Sequence, residues 1–503
     1  MHRDQDQAAL AALGAGKPAM VWRRQVADTE TPVAAALKLI RPGRGDFLLE
    51  SVEGGAIRGR YTLLGLAPDL MFRARGRDAE VNRCWAIDPG AFEPLAGDAL
   101  TEMRALVTAC RMDVPEGLPS ALACLVGYFA YETIGLVEKL PRPAPNPLDL
   151  PDMLFARPTL ILIFDRLADQ LYSVAPLWPE TSGSAEQKIA GAIDLIEAHA
   201  AMLAAPQPAP HRAEIDLATI VPTPQLAPGR YAEMAVKAKD YIAAGDIFQV
   251  VLAQRFSVPF ALPPIDLYRA LRRINPSPFL YYLDLPGFAL IGSSPEILVR
   301  ARDGEVTIRP IAGTRPRGKN AVEDVANRES LLADPKERAE HLMLLDLGRN
   351  DVGRVAAAGT VEVTDSYTVE HYSHVMHIVS NVVGTLDPAK DALDALFAGF
   401  PAGTVSGAPK VRACEIIAEL EPETRGAYAG GVGYFSPDGS MDSCIVLRTA
   451  VVKDGVMHVQ AGAGIVADSD PAYEQRECEA KAGALIAAAR EAVARAGESG
   501  FGQ

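Results

Sequence analysis

The sequence predicts an α+β fold: two intimately packed α/β layers built around antiparallel sheets. Two observations carry that expectation. Beyond residue 245 the β-rich runs ALIGSSPEILVR, VMHIVSNVVGTL, GGVGYFSP, SCIVLRTAVV and MHVQAGAGIV are mixed with helices, without the regular strand-helix alternation of a doubly wound sheet. Neither GxGxxG nor GxxxxGK[ST] occurs, so the usual phosphate loops of parallel α/β proteins are missing.

In chain order, DFLLESV, ALACLVGYFAYE and PTLILIFDRL alternate with turn residues between about 20 and 175, which predicts strands with helices between them. Residues 181–200 are expected to be helical. The Pro- and Ala-rich stretch AAPQPAPHRAEIDLATIVPTPQLAPGR follows and reads as a linker. The expected division is an N-terminal domain over 20–178, a helix and linker over 179–228, and a C-terminal domain over 229–490. Tyr231, Met234, Ala235, Ala238, Tyr241 and Ile242 then share one helical stripe, and Gly245 stands where a C-terminal cap belongs. That helix leads into the predicted strand DIFQVVLAQRF.

Composition bounds the function. Apolar residues make up 49% and charged residues 22% of 503, as in a soluble globular protein. The net charge of -15 argues against a general nucleic-acid or anionic-membrane binder. No apolar run approaches the roughly 20 residues of a bilayer span, and MHRDQDQAALAALGAG lacks the apolar core of a signal peptide, so a cytoplasmic protein is expected. Six scattered cysteines form no CxxC pair and are expected to be buried free thiols.

Four constellations could carry chemistry. In DPKERAEHLMLLDLGRND, Asp334 is a good N-cap, Pro335 suits the first helical position, and Glu337 sits three after the cap as in a capping box; Glu337, Glu340 and Leu344 share a face. In DSDPAYEQRECEAKAG, Asp470 and Pro471 open another helix, with Glu474, Glu477 and Lys481 on one face. An exposed Glu340 and a plain Glu477–Lys481 ion pair are the bland alternatives; two facing helices would instead offer a hard oxygen site suited to Mg²⁺. In HYSHVMHIVSNVVG the β-branched run predicts a strand on which His374 faces away from His371 and His377, which disfavours zinc and leaves a single His as acid or base. Arg448, and Gly462 and Gly464 in QAGAGIV, are candidate carboxylate binders.

Taken in order, GDIFQVVLAQRF, NPSPFLYYLD, GSSPEILV, PIAGTRPRG, ERAEHLMLLDLGRND, HVMHIVS, GTVSGAPK, GGVGYF, IVLRTA, QAGAGIV and ECEAKA resemble the chorismate-utilising enzymes, and most closely their anthranilate synthase component I branch. The resemblance is dense from about 229 to 485; FLLES, GRYTLLGL and GYFAYE extend it more weakly towards the N-terminus. It implies the chorismate-binding fold and, for function, conversion of chorismate and ammonia to anthranilate and pyruvate at the start of tryptophan biosynthesis. It further implies Mg²⁺ held by Glu340 and Glu477, with Glu337 and Glu474 acting through water. Tyr428, Arg448, Gly462, Ala463 and Gly464 match residues that hold the substrate's carboxylates, Gly313 and Thr314 line the site, and Lys481 is an extra anion partner. Glu296 matches the general acid, His377 the histidine of pyruvate elimination, and Thr404 a positioning residue.

The same resemblance separates sister activities. Aminodeoxychorismate synthases carry a lysine nucleophile where this chain has Ala312, and without an amine no covalent attack starts there. Isochorismate and salicylate synthases carry a lysine base that aligns with Gln249, and an amide cannot deprotonate water. A chorismate-binding paralogue that has lost catalysis is the alternative of another class. None of the six cysteines sits in a glycine-rich nucleophile elbow, which implies a separate glutamine amidotransferase subunit and a hetero-oligomer. L-tryptophan inhibition is implied by Glu50 and Ser51 together with Pro278, Phe279 and Leu280, the last two replacing the usual Tyr and Met.

Overall fold

The computed structural model describes residues 2–53, 57–119, 121–141, 145–209, 211–372 and 375–498. Two sheets, each of twelve strands, form its centre, and every ladder described is antiparallel. The first runs from Ala19–Val26 through Gln170–Leu177, Leu160–Asp165, Ile57–Leu66, Asp46–Glu53, Phe279–Leu285, Phe288–Ser294, Thr449–Lys453 and Val456–Ile465 to Gln249–Pro259. The second runs from Ile311–Pro316 through Val375–Thr385, Glu305–Ile308, Ile297–Arg302, Met441–Ile445, Gly431–Phe435, Leu125–Phe129, Met153–Arg157 and Leu70–Arg75 to Asp78–Asn82.

Strand alternation sorts most of the apolar residues into three large cores, with Leu331, Met376 and Ile378 forming a small fourth cluster. Phe47, Leu63 and Ile163 of the first sheet meet Met71, Tyr128 and Leu154 of the second. Their chain neighbours Leu48, Leu64 and Leu162 point the other way, into a core closed by the helices Pro32–Leu39, Ala185–Ala204, Pro264–Ile274 and Pro471–Gly497. On the far side of the second sheet, Phe72, Phe129 and Phe155 pack with residues of Ala99–Ala109, Ala392–Gly399 and Lys410–Leu420. Each sheet therefore carries its own helical layer, the expected α+β arrangement.

Both sheets draw strands from both halves of the sequence. Asp46–Glu53 pairs with Phe279–Leu285, and Leu125–Phe129 pairs with Gly431–Phe435. The Pro- and Ala-rich segment packs along this body: Thr223–Pro224 pairs with the strand Gln249–Pro259, and Ile220 and Leu226 are buried.

Local signals behave largely as the sequence suggests. The helix Arg230–Ala243 buries Tyr231, Met234, Ala235 and Ala238, and Gly245 follows it with φ 85°. Two expectations change. Five cysteines are buried thiols, but Cys84 is exposed. The histidine run is no single strand: Glu362–His371 ends before Val375–Thr385 begins, and the two pair as a hairpin in which Glu370 lies opposite His377. His371 and His377 thus stand on neighbouring strands, and His374 lies outside the described residues. No described helix is long and apolar enough to cross a membrane.

Candidate active site

The chain crosses from one sheet to the other at two adjacent places. Phe288–Ser294 belongs to the first sheet and Ile297–Arg302 to the second, so Glu296 sits at the crossing. Met441–Ile445 and Thr449–Lys453 make the reverse passage, and Arg448 sits there with φ 47°. Backbone bonds tie the crossings together: Ile445 N–H donates to Glu296 O at 3.1 Å, and Ser293 N–H to Arg448 O at 3.2 Å. An acid and a cation 152 positions apart are thereby fixed in one crease.

Glu296 is buried, and burial pushes its carboxyl up to about 8 against the Thr404 hydroxyl, the Ile311 backbone and the charge of Arg448, which pull it down. Thr404 Oγ1 stands 3.1 Å from each carboxylate oxygen, on the short turn Gly403–Val405. A carboxyl kept protonated near neutrality, beside a guanidinium, is suited to donating a proton to an anionic ligand.

The next residues come from the edge of the second sheet. Ala312 lies opposite Ile378, the register shifts at Gly313, where φ is 75°, and Thr314 then faces His377. His377 Nδ1 is 3.0 Å from Gly313 O and 3.0 Å from Thr314 Oγ1. A carbonyl only accepts, so Nδ1 carries the proton and Nε2 is the basic nitrogen of the neutral ring. Burial brings this imidazole down to about 4. Tyr372 packs its ring on His377 at 5.3 Å and donates its hydroxyl to Glu370 at 3.0 Å. Tyr372 carries no sequence signal of its own, because a lone Tyr beside a strand is an ordinary core residue.

The two acidic helices bring carboxylates within electrostatic reach of one another, since the charge of Glu477 acts on Glu340. Asp334 accepts from Lys336 N and Glu337 N, and Asp470 from Tyr473 N, which fixes both starts. Burial raises Glu340, and the charges of Glu337 and Glu477 raise it further. Burial likewise raises Glu474, with Glu477 adding to it. Glu337 does not complete a capping box: its carboxylate accepts from Arg315 at 2.8 Å, a stronger partner than an exposed cap N–H. Lys481 is bonded to Glu477 at 2.7 Å and to Gly462 O at 2.9 Å, so the ion pair offered by the spacing forms. Among the described residues no group of three or more His, Cys, Asp or Glu is placed to hold a metal ion.

On the strand Val456–Ile465, close approach confines Gly462 against a backbone oxygen, and Gly464 against the movable end of a side chain. A Cβ on Gly462 would lie 2.8 Å from the Tyr428 hydroxyl and 2.9 Å from Leu252 O; one on Gly464 would lie 2.4 Å from Gln249 Nε2. Ala463 and Tyr428 are both buried, as members of the core behind the second sheet. Gln249 Oε1 is buried without a hydrogen-bond partner.

A second cluster lies where the first sheet joins the two halves. Ser51 stands opposite Phe279 and Glu50 opposite Leu280, with Pro278 in the bend before them. Glu50 is buried, which raises its carboxyl, but Arg272, Tyr268 and Arg166 more than offset this and hold it below the ordinary range. Arg166 donates to Glu50 at 2.6 Å, and the Tyr268 hydroxyl donates to Glu50 at 2.5 Å.

Comparison with known proteins agrees with this geometry. Residues 53–487 match the family model described as chorismate binding enzyme. Anthranilate synthase component 1 of Cereibacter sphaeroides is 50% identical over 97% of this chain and 98% of its own length. The protein of the same name from Pseudomonas aeruginosa is 45% identical over 92% and 94%. The crystal structure of anthranilate synthase component I from Streptococcus pneumoniae superposes with a TM-score of 0.75 at 34% identity, covering 92% of this chain and 99% of that one. With this crease, these helices and these relatives together, the chain belongs to the chorismate binding enzymes, in their anthranilate synthase component 1 family.

Proposed function

We propose that the chain is the large subunit of an anthranilate synthase, converting chorismate and ammonia to anthranilate and pyruvate in a Mg²⁺-dependent lyase reaction. The single observation that carries the chemistry is Glu296, a buried carboxyl raised to about 8 and oriented by Thr404. Hydroxide is a poor leaving group, so loss of the C4 hydroxyl needs a proton, which Glu296 donates as ammonia adds at C2. His377, neutral and with its Nδ1 proton held by Gly313 O, accepts the C2 proton at Nε2 as the C3–O bond to the enolpyruvyl group breaks; the departing enol is protonated at its methylene carbon to give pyruvate, and the ring becomes aromatic. Arg448, Tyr428 and the backbone of Gly462, Ala463 and Gly464 hold the substrate's carboxylates, Gly313 and Thr314 line the ring, and Lys481 adds positive charge beside them.

Two carboxylates with the rest of the shell left to water and substrate oxygens would suit a hard divalent cation. Burial raises Glu340, and the charges of Glu337 and then Glu477 raise it further, a crowding of negative charge that a divalent cation would relieve. Glu340 and Glu477 would hold Mg²⁺, with Glu337 and Glu474 through water, and the ion would supply charge neutralisation for the ring carboxylate of chorismate.

Ala312 and Gln249 supply no amine, which favours free ammonia at C2 over the lysine-dependent sister reactions. The ammonia comes from a separate glutamine amidotransferase subunit, and the strand pair at Glu50, Ser51, Phe279 and Leu280 is the seat of tryptophan feedback. Purified chain given chorismate, Mg²⁺ and an ammonium salt is expected to produce anthranilate fluorescence, and glutamine alone is expected to produce none. Tryptophan is expected to inhibit, and Ser51→Ala to weaken that inhibition.

A further inference from the structure

Arg425 lies in the irregular chain between the helix Lys410–Leu420 and the strand Gly431–Phe435, and it is 4% exposed. Its guanidinium makes four bonds. Nε donates to Glu421 Oε2 at 2.8 Å and Nη2 to Glu421 Oε1 at 2.6 Å; Nη1 donates to Val405 O at 2.7 Å and Nη2 to Val251 O at 2.7 Å. Each acceptor is one step from the candidate site. Val405 follows Thr404, which holds Glu296. Val251 stands opposite Gly464, and Ala253, whose N–H is taken by Glu421 at 2.8 Å, stands opposite Gly462. The guanidinium carbon also lies 5.5 Å from the Tyr428 ring centroid and 4.7 Å from that of Tyr131.

A buried ion pair is a poor device for stability, because well-packed apolar residues of similar volume serve as well or better. What this one offers is direction. Only a planar fork with five donors can reach two backbone carbonyls and both oxygens of a carboxylate at once; a lysine offers three donors from one point. The backbone N–H groups of Arg425 and Gly426 are themselves fixed by Glu132 at 2.7 and 3.0 Å, from the short helix Tyr131–Leu136 in the N-terminal half.

We infer that Arg425, braced by Glu421, is a positioning residue for this reaction: it sets the Thr404 turn, the strand behind Gly462–Gly464 and the Tyr428 ring relative to one another. The inference rests on the activity proposed above, and it assigns no chemistry to Arg425 itself. Thr404 mediates its effect on the acid. The charged and titratable groups facing Glu296 are Arg448 and Tyr372, with Asp351 on the wall of the same small cavity of about 30 Å³. None of these changes in the variants below.

The test is the pH profile of kcat with ammonia for Arg425→Lys beside the unaltered protein. Loosening the Thr404 turn removes a bond that favours the ionised Glu296, so the acid titrates higher and the basic limb moves up by about half a unit to one unit. A fall in kcat of about tenfold or more accompanies it. Thr404→Val should move the same limb in the same direction, and the double variant should move it no further. If Arg425→Lys fails to fold, Glu421→Gln reads the same limb with the arginine in place. A folded Arg425→Lys or Glu421→Gln protein with kcat and limb unchanged, or shifts that add in the double variant, would overturn the inference. Absence of anthranilate from the unaltered protein would overturn the proposed activity instead.

Discussion

Thr404 Oγ1 lies equidistant, at 3.1 Å, from the two carboxylate oxygens of Glu296. A hydroxyl so placed favours the ionised acid, yet burial wins and leaves the group at about 8. The margin matters, because an acid that is protonated at neutral pH and can still give its proton away is poised between those two effects.

Glu296→Gln should therefore lower kcat by about a hundredfold or more while chorismate still binds. It should also change stability with a definite sign. The folded acid titrates at about 8 against an ordinary 4.5, so its contribution to stability is full below pH 4.5 and is lost as pH rises towards 8. Glutamine has no such loss. The melting temperature of the variant relative to the parent is expected to rise between pH 4.5 and 8 and then level off; a flat difference across that window counts against a buried, protonated Glu296.

His377 supplies a separate pH signature. Burial holds it near 4, so a limb of the pH profile that depends on this histidine is expected near 4 and not near 6.5. His377→Ala should slow pyruvate release more than amination, so that an aminated, non-aromatic species still carrying the enolpyruvyl group accumulates. Chromatography of the quenched reaction checks this; equal loss of both steps would contradict the assignment.

Gly462→Ala places a methyl 2.8 Å from the Tyr428 hydroxyl and 2.9 Å from Leu252 O. A backbone oxygen in a ladder cannot withdraw cheaply, so Tyr428 and the strand must shift together. We expect KM for chorismate to rise about tenfold with a smaller change in kcat, measured by steady-state kinetics.

Removal of Mg²⁺ by chelation should abolish turnover reversibly and leave the fold intact, because the helices are capped by Asp334 and Asp470 and packed without it. Glu340→Gln relieves the repulsion among Glu337, Glu340 and Glu477. That variant should melt no lower than the parent without metal while losing the stabilisation that added Mg²⁺ gives the parent. Unchanged Mg²⁺ stabilisation would remove Glu340 from the metal site.

How much of this was legible in the sequence depends on the distance over which each feature is decided. Caps are decided within four residues, and Asp334, Pro335 and Asp470 announced their helices. Pairing of Asp46–Glu53 with Phe279–Leu285 is decided across more than 200 residues, and no local pattern displays it. Period-two alternation runs on through a hairpin, which is why HYSHVMHIV read as one strand. Charged residues are normally exposed, so Arg425 and Glu421 carried no sequence signal of burial. The roles of Glu296 and Ala312 were legible only through the resemblance, because neither residue is chemically distinctive until its surroundings are known.

The proposed reaction joins ammonia to C2 of chorismate with Glu296 as acid, and identifying the product decides whether it occurs. Purified chain, chorismate, Mg²⁺ and an ammonium salt should yield anthranilate and pyruvate in equal amounts, with Glu296→Gln yielding almost none. Aminodeoxychorismate or isochorismate as the product, or anthranilate formed undiminished by Glu296→Gln, would contradict it.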